Sequence, residues 1–174
     1  MRGTRNTRTA PLRIALVNDP GIVNSTYRAY LPLYALGDRG HELLGERGER
    51  LGSEALLKAD VVHIHRVLAS KAATRLREAG VAIVWDNDDT TELPRTNPLY
   101  GRLGGYKGRD VQAGVSTMLR LADVVTTPSE QLAAHYRELG ARDVRVLENY
   151  LPREFAKVRP AKHRGTVIVW VAAL

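Results

Sequence analysis

Asp60-Val61-Val62-His63-Ile64-His65 and Val81-Ala82-Ile83-Val84-Trp85-Asp86 are two short, almost wholly apolar runs, and Ala69 to Ala79 between them has helical spacing closed by Gly80. Apolar runs of this length, bounded by turn and cap signals, read as strands buried on both faces. Strand, helix and strand in close succession make neighbouring strands run parallel. The second run ends on Asp86-Asn87-Asp88-Asp89, three carboxylates in four residues at the carboxyl end of a strand.

Working outward, the same alternation recurs. Arg13-Ile14-Ala15-Leu16-Val17-Asn18 is a strand that ends at Asp19-Pro20-Gly21. Ser25 or Thr26 can cap a helix through Tyr27, Tyr30, Leu31, Leu33, Tyr34 and Leu36, ended by Gly37 or Gly40. Pro32 inside that pattern predicts a kink or a late start. His41 to Leu44 is a weaker strand, Gly45 to Gly52 a polar loop, and Glu54 to Lys58 a helical turn at most. Beyond Asp89 comes a long loop with Pro94, Pro98, Gly101, Gly104 and Gly105, and then a helix from about Asp110 to Leu121. Asp123 to Thr126 is the next strand. Thr127-Pro128-Ser129-Glu130 has the pattern of a capping box, with Thr at the cap and Pro at the first helical position. That helix stops at Gly140, and Val144 to Leu147 is a sixth strand. The expected fold is α/β: a doubly wound, Rossmann-like parallel sheet of six to seven strands with helices on both faces.

Composition bounds the function. The chain has 174 residues, of which 44% are hydrophobic and 26% charged, an ordinary globular balance. It has no Cys, which excludes disulfides, a thiolate nucleophile and any metal site built on sulfur. No apolar run approaches the roughly 18 residues of a membrane span, and no apolar segment follows Arg2, Arg5, Arg8 and Arg13 as a secretory signal would require. A cytoplasmic protein is expected. The net charge is +7, with Arg outnumbering Lys 21 to 5. These charges are scattered, without the basic stripe and interleaved aromatics of a nucleic-acid reader. They favour anions in general, which allows nucleotide-sugars and a peripheral contact with an anionic membrane surface. Neither a phosphate-loop motif nor a dinucleotide fingerprint is present, and Ser25 and Ser129 lack a nucleophile elbow.

Leu121-Ala-Asp-Val-Val-Thr-Thr-Pro-Ser-Glu130, with Leu132 and Leu139-Gly140-Ala141, is joined to Val144-Arg-Val-Leu-Glu-Asn149. Together with Asp60-Val61-Val62, Arg13-Ile14-Ala15, Leu36 and Gly40-His41-Glu42, this order resembles the N-terminal half of a GT-B glycosyltransferase of the family 4-like kind, over about residues 13 to 155. The resemblance implies transfer of a sugar from a nucleotide-diphosphate sugar donor to a carbohydrate or other hydroxyl acceptor, with no metal or other cofactor. It divides the chain into a basic tail (1–12), an acceptor-side domain (13–149), a linker (150–164) and the opening strand of a donor-binding domain (165–174). Thr166 to Val171 reads as a buried strand that either pairs within this sheet or, the favoured reading, is that opening strand. On this reading the chain alone lacks turnover.

Ligands of such sheets bind beyond the carboxyl ends of the strands. Asp86, Asp88 and Asp89 are therefore the catalytic candidates, one of them touching the acceptor hydroxyl as general base or orienting group. Mutual repulsion is expected to raise at least one pKa. Turn and cap chemistry is the plainer explanation for the same residues. Substrate-binding candidates are Gly21 and Ser25 in the first strand–helix turn, Arg28 as a cation for an anionic ligand or a solvated surface residue, His65 with Arg66, and Asn149 at the exit from the sixth strand. His63 and His65 share a face, so a metal pair fits the spacing, although more often one such ring is packed and the other sits at the strand's end. The Asp-x-Asp spacing of Asp86 and Asp88 also imitates a GT-A metal signature. Retaining GT-B enzymes commonly carry a His near the acidic loop, and this loop has none. Two other readings fit: a non-catalytic sugar- or nucleotide-binding α/β module, and a small metal-dependent enzyme using the Asp86–Asp89 cluster.

Overall fold

A computed structural model describes residues 10–18, 24–44, 53–90 and 109–149, together with 157, 159 and 165. Six strands form one all-parallel sheet: β1 (Arg13–Val17), β2 (Glu42–Leu44), β3 (Val61–His65), β4 (Ala82–Asp86), β5 (Val124–Thr127) and β6 (Val144–Val146). Their order is β2-β1-β3-β4-β5-β6, so the direction of winding reverses between β1 and β3. The open doubly wound sheet expected from the alternating pattern is the observed one, and in sheets of this kind such a reversal marks where ligands bind, outside the carboxyl ends of the strands.

The core packing places α3 (Ser70–Glu78), α4 (Arg109–Leu121) and α5 (Glu130–Glu138) on the same face of the sheet, as right-handed crossovers require for this strand order. Ala73, Leu76, Val115, Met118, Leu119, Ala133 and Tyr136 from these helices pack on Ala15, Val62, Ile64, Ile83, Trp85, Val125 and Val144. Trp85 is wholly buried, and its indole meets the Tyr136 ring edge-on with centroids 5.7 Å apart. A short α2 (Ser53–Leu56) adds Leu56 to this core. On the opposite face, α1 (Leu31–Gly37) lies against Ile14, Leu16, Leu43 and Leu44.

Two local expectations are revised. The first helix opens with a π-turn over Thr26–Tyr30 before α1 begins, and Pro32 falls in the first turn of α1, where its missing N–H is tolerated. Ser25 precedes the π-turn with helical torsions and makes no side-chain cap bond, because an N-cap needs the extended conformation that Ser25 lacks. The cap of α5 is Ser129, not Thr127. The Ser129 backbone is extended and its hydroxyl accepts the Leu132 N–H, whereas Thr127 stays in β5 with its carbonyl accepting the Leu147 N–H. Among the described residues no helix is long and apolar enough to cross a membrane. The basic tail before residue 10, the loops at 19–23, 45–52 and 91–108, nearly all of the linker and the strand at Thr166–Val171 lie outside the described residues.

Candidate functional site: the carboxyl rim of the sheet

Parallel register sets the geometry. His65 lies beside Asp86, and Asp86 beside Thr126, so the three side chains share the face on which the π-turn packs. From that turn Arg28 reaches Asp86. Both are at most 1% exposed. The guanidinium binds the carboxylate side-on, Nε donating to Oδ2 at 3.1 Å and Nη2 to Oδ1. Thr126 Oγ1 donates to Oδ1 at 2.6 Å, and His65 Nδ1 lies 2.9 Å from Oδ2. Four donors thus meet the roughly four lone-pair positions a carboxylate offers. Arg28 is equally engaged: Nη1 donates to the Leu147 carbonyl and to Asn149 Oδ1, the latter at 3.2 Å.

The charge state follows. Burial alone would push the Asp86 carboxyl up, but the hydrogen bonds from His65 and Arg28 and the nearby guanidinium charge outweigh it and hold the pKa down at about 2. The expected upward shift is not found at Asp86. A carboxylate so saturated has no lone pair left for a further donor, and it ties Arg28, His65 and Thr126 together. Arg28 likewise is neither a solvated surface cation nor open to an anion, because its donors are occupied inside the rim.

The next residue faces the other way. Asn87 is buried on the core side, where its amide donates to the Tyr136 hydroxyl at 2.6 Å. That hydroxyl in turn donates to the Asp89 carbonyl at 2.8 Å. With Asp86 anchored on one face and Asn87 on the other, the loop displays Asp88 and Asp89. The Asp88 side chain is 8% exposed and takes a hydrogen bond from the Asn24 amide, and that of Asp89 is half exposed. Arg66 Nη1 lies 3.5 Å from Asp88 and Nη2 3.7 Å from Asp89.

Arg66 is held in an unusual way. It is the one non-glycine residue with positive φ (60°) among the described residues, and the Val67 N–H donates back to the His65 carbonyl at 2.7 Å. That i to i+2 bond about a positive φ is a γ-turn of the rare, strained kind. The turn ends β3 abruptly and aims Arg66 across the acidic loop.

The rim therefore unites Arg28, His65, Arg66, Asp86, Asp88, Asp89 and Asn149, with Ser25 buried at the start of the π-turn; Gly21 lies outside the described residues. His63, on the same face, is buried without a hydrogen bond at Nε2. Among the described residues no group of three or more His, Asp or Glu side chains is arranged to hold a metal. Asn24 and Asn87 fall in the stretches that follow strand ends, whereas Thr126 and Tyr136 were not legible at the rim. Thr126 needed the strand register, and Tyr136 reads as one more apolar position of α5.

Removing the Asp86 charge leaves a buried guanidinium unpaired. Asp86→Ala should lower the unfolding free energy by about 3–5 kcal/mol, measured by urea denaturation, and a loss below about 1 kcal/mol would contradict the saturated pair. Burial, opposed in part by Asp86, also depresses the His63 pKa from 6.5 to about 4, with His65 and Arg28 pushing the same way. The unfolded chain then binds a proton that the folded one refuses, so stability is complete above pH 6.5 and falls as pH drops towards 4. The slope approaches 1.4 kcal/mol per pH unit. Asp86 adds a second loss between 3.8 and about 2. His63→Leu should flatten the first window and leave the second in place.

Residues 24–150 match the family model described as a glycosyl transferase 4-like domain. No curated protein matches the chain.

Proposed function

Because the chain belongs to the glycosyl transferase 4-like family, we propose that it forms the acceptor-side wall of a sugar-transfer cleft. A sugar passes from a nucleotide-diphosphate donor to an acceptor hydroxyl. The reading is carried by the acidic loop, whose first two residues are locked into opposite faces of the sheet while Asp88 and Asp89 face Arg66 at the strand ends. Carboxylates are acceptors for sugar hydroxyls, and a fixed pair orients them without reorganisation.

The roles divide accordingly. Asp88 and Asp89 hold the acceptor, Asp89 being the more open. Arg66 balances their charge. Asp86, named with them as a catalytic candidate, acts as a positioning residue. Asn149, bound to Arg28 at the exit from β6, fixes the path of the chain beyond the sheet. The donor diphosphate is held chiefly by the second domain that the family resemblance implies.

The test is transfer of labelled sugar from uridine- and guanosine-diphosphate hexoses, assayed on the product of the whole reading frame. Asp88→Asn with Asp89→Asn should lower kcat/KM by about 10²-fold or more while the melting temperature stays within a few degrees. Full transfer by that double variant would overturn the assignment. Arg66 gives an independent check through its torsion. Arg66→Gly and Arg66→Ala both remove the cation, but only Gly relaxes at φ 60°, so the Gly variant should be about 1 kcal/mol more stable than the Ala variant.

A further inference from the structure

Gly114 lies in the middle of α4, which packs beside α3 on the core face of the sheet. Gly40, Gly80 and Gly140 adopt a positive φ, but Gly114 does not, and alanine is the better helix former at such a position. Space explains the glycine instead. A Cβ at 114 would come within 2.9 Å of Leu68 Cδ1, 3.3 Å of its Cβ and 3.5 Å of its Cγ. Turning the leucine side chain moves Cδ1 and Cγ but not Cβ, so the backbone at Leu68 would have to give way as well.

That backbone leads directly to the rim. Val67, Leu68 and Ala69 carry the chain from the strained turn at Arg66 into α3. On the near side of this connection the Arg66 N–H donates to the Asp86 carbonyl at 2.8 Å, and the Val67 N–H donates to the His65 carbonyl at 2.7 Å. On the far side Ala69 precedes α3 without a side-chain cap bond, and the hold is apolar, with Val67 and Leu68 packed against the core. A positive φ at an arginine persists only where its surroundings over-determine it.

We propose that Gly114 is a positioning residue for Arg66. By letting Leu68 sit against the α4 backbone, it fixes the connection, keeps the turn closed and aims the guanidinium across the acidic loop. There Nη1 lies 3.5 Å from Asp88 and Nη2 3.7 Å from Asp89. The bearing of this contact on an acceptor rests on the sugar-transfer reading; its control of Arg66 does not.

The test uses the whole protein labelled with ¹⁵N-arginine and reads the Nε–Hε resonance of Arg66, identified by its loss in Arg66→Lys. Gly114→Ala should move that resonance and lower the melting temperature, although alanine favours the helix. Leu68→Ala, which adds no atoms and empties the contact, should also move the resonance. The two substitutions together exchange bulk across one contact, so the double variant should lie closer to the parent protein than either single variant. An unmoved Arg66 resonance in the single variants, a raised melting temperature in Gly114→Ala, or effects that merely add in the double variant would overturn the proposal. In the transfer assay Gly114→Ala should raise the acceptor KM about fivefold and leave kcat within about twofold. A moved Arg66 resonance with unchanged KM would remove the acceptor role of the acidic loop and leave the positioning of Arg66 standing.

Discussion

The ion pair between Arg28 and Asp86 is the constraint on which the rim depends. Two charges that are almost fully excluded from water are held in place by a complete set of hydrogen bonds from β3, β5, the π-turn and the segment after β6. Such a pair adds little net stability, since desolvation offsets most of the attraction. Its effect is geometric. Any shift of one strand end relative to another breaks a bond to a buried charge, so the rim has one low-energy arrangement.

Alternation along a strand carries that arrangement into the acidic loop. Asp86 points to the face of the π-turn and Asn87 to the face of α5, and each is fixed by a different set of partners. The chain leaving β4 is thereby gripped from both sides, and the two carboxylates after it emerge in a defined direction. The strained turn at Arg66 does the same for the end of β3. Backbone strain of this kind persists only where neighbouring contacts over-determine it, and here the Arg66 N–H is bound to the Asp86 carbonyl at 2.8 Å.

The sheet was legible because its strands are short, apolar and bounded by glycine stops: Val61–His65 and Ala82–Asp86 lie within the stretches expected from hydropathy alone. The clustering of Asp86, Asp88 and Asp89 at a strand end was legible for the same reason. The division of labour among them was not. It depends on Arg28, which sits 58 residues away in sequence and reads equally as a cation for an anionic ligand or a surface charge until the sheet order is known. The cap of α5 was misplaced by two residues because Thr127 satisfies the local capping pattern while its backbone is committed to β6. Local rules identified the elements; register decided which side chains meet.

The reach of Arg28 also has a consequence for synthesis. Its hydrogen bond to the Leu147 carbonyl spans 119 residues, nearly the whole described sheet. A nascent chain that has made β1 to β4 can bury its apolar layer against α3, yet its arginine still lacks the carbonyl contributed by the segment after the sixth strand. Closure of the polar rim is thus deferred until that distant strand has left the ribosome, as is completion of the apolar layer, to which α4, α5 and Val144 contribute.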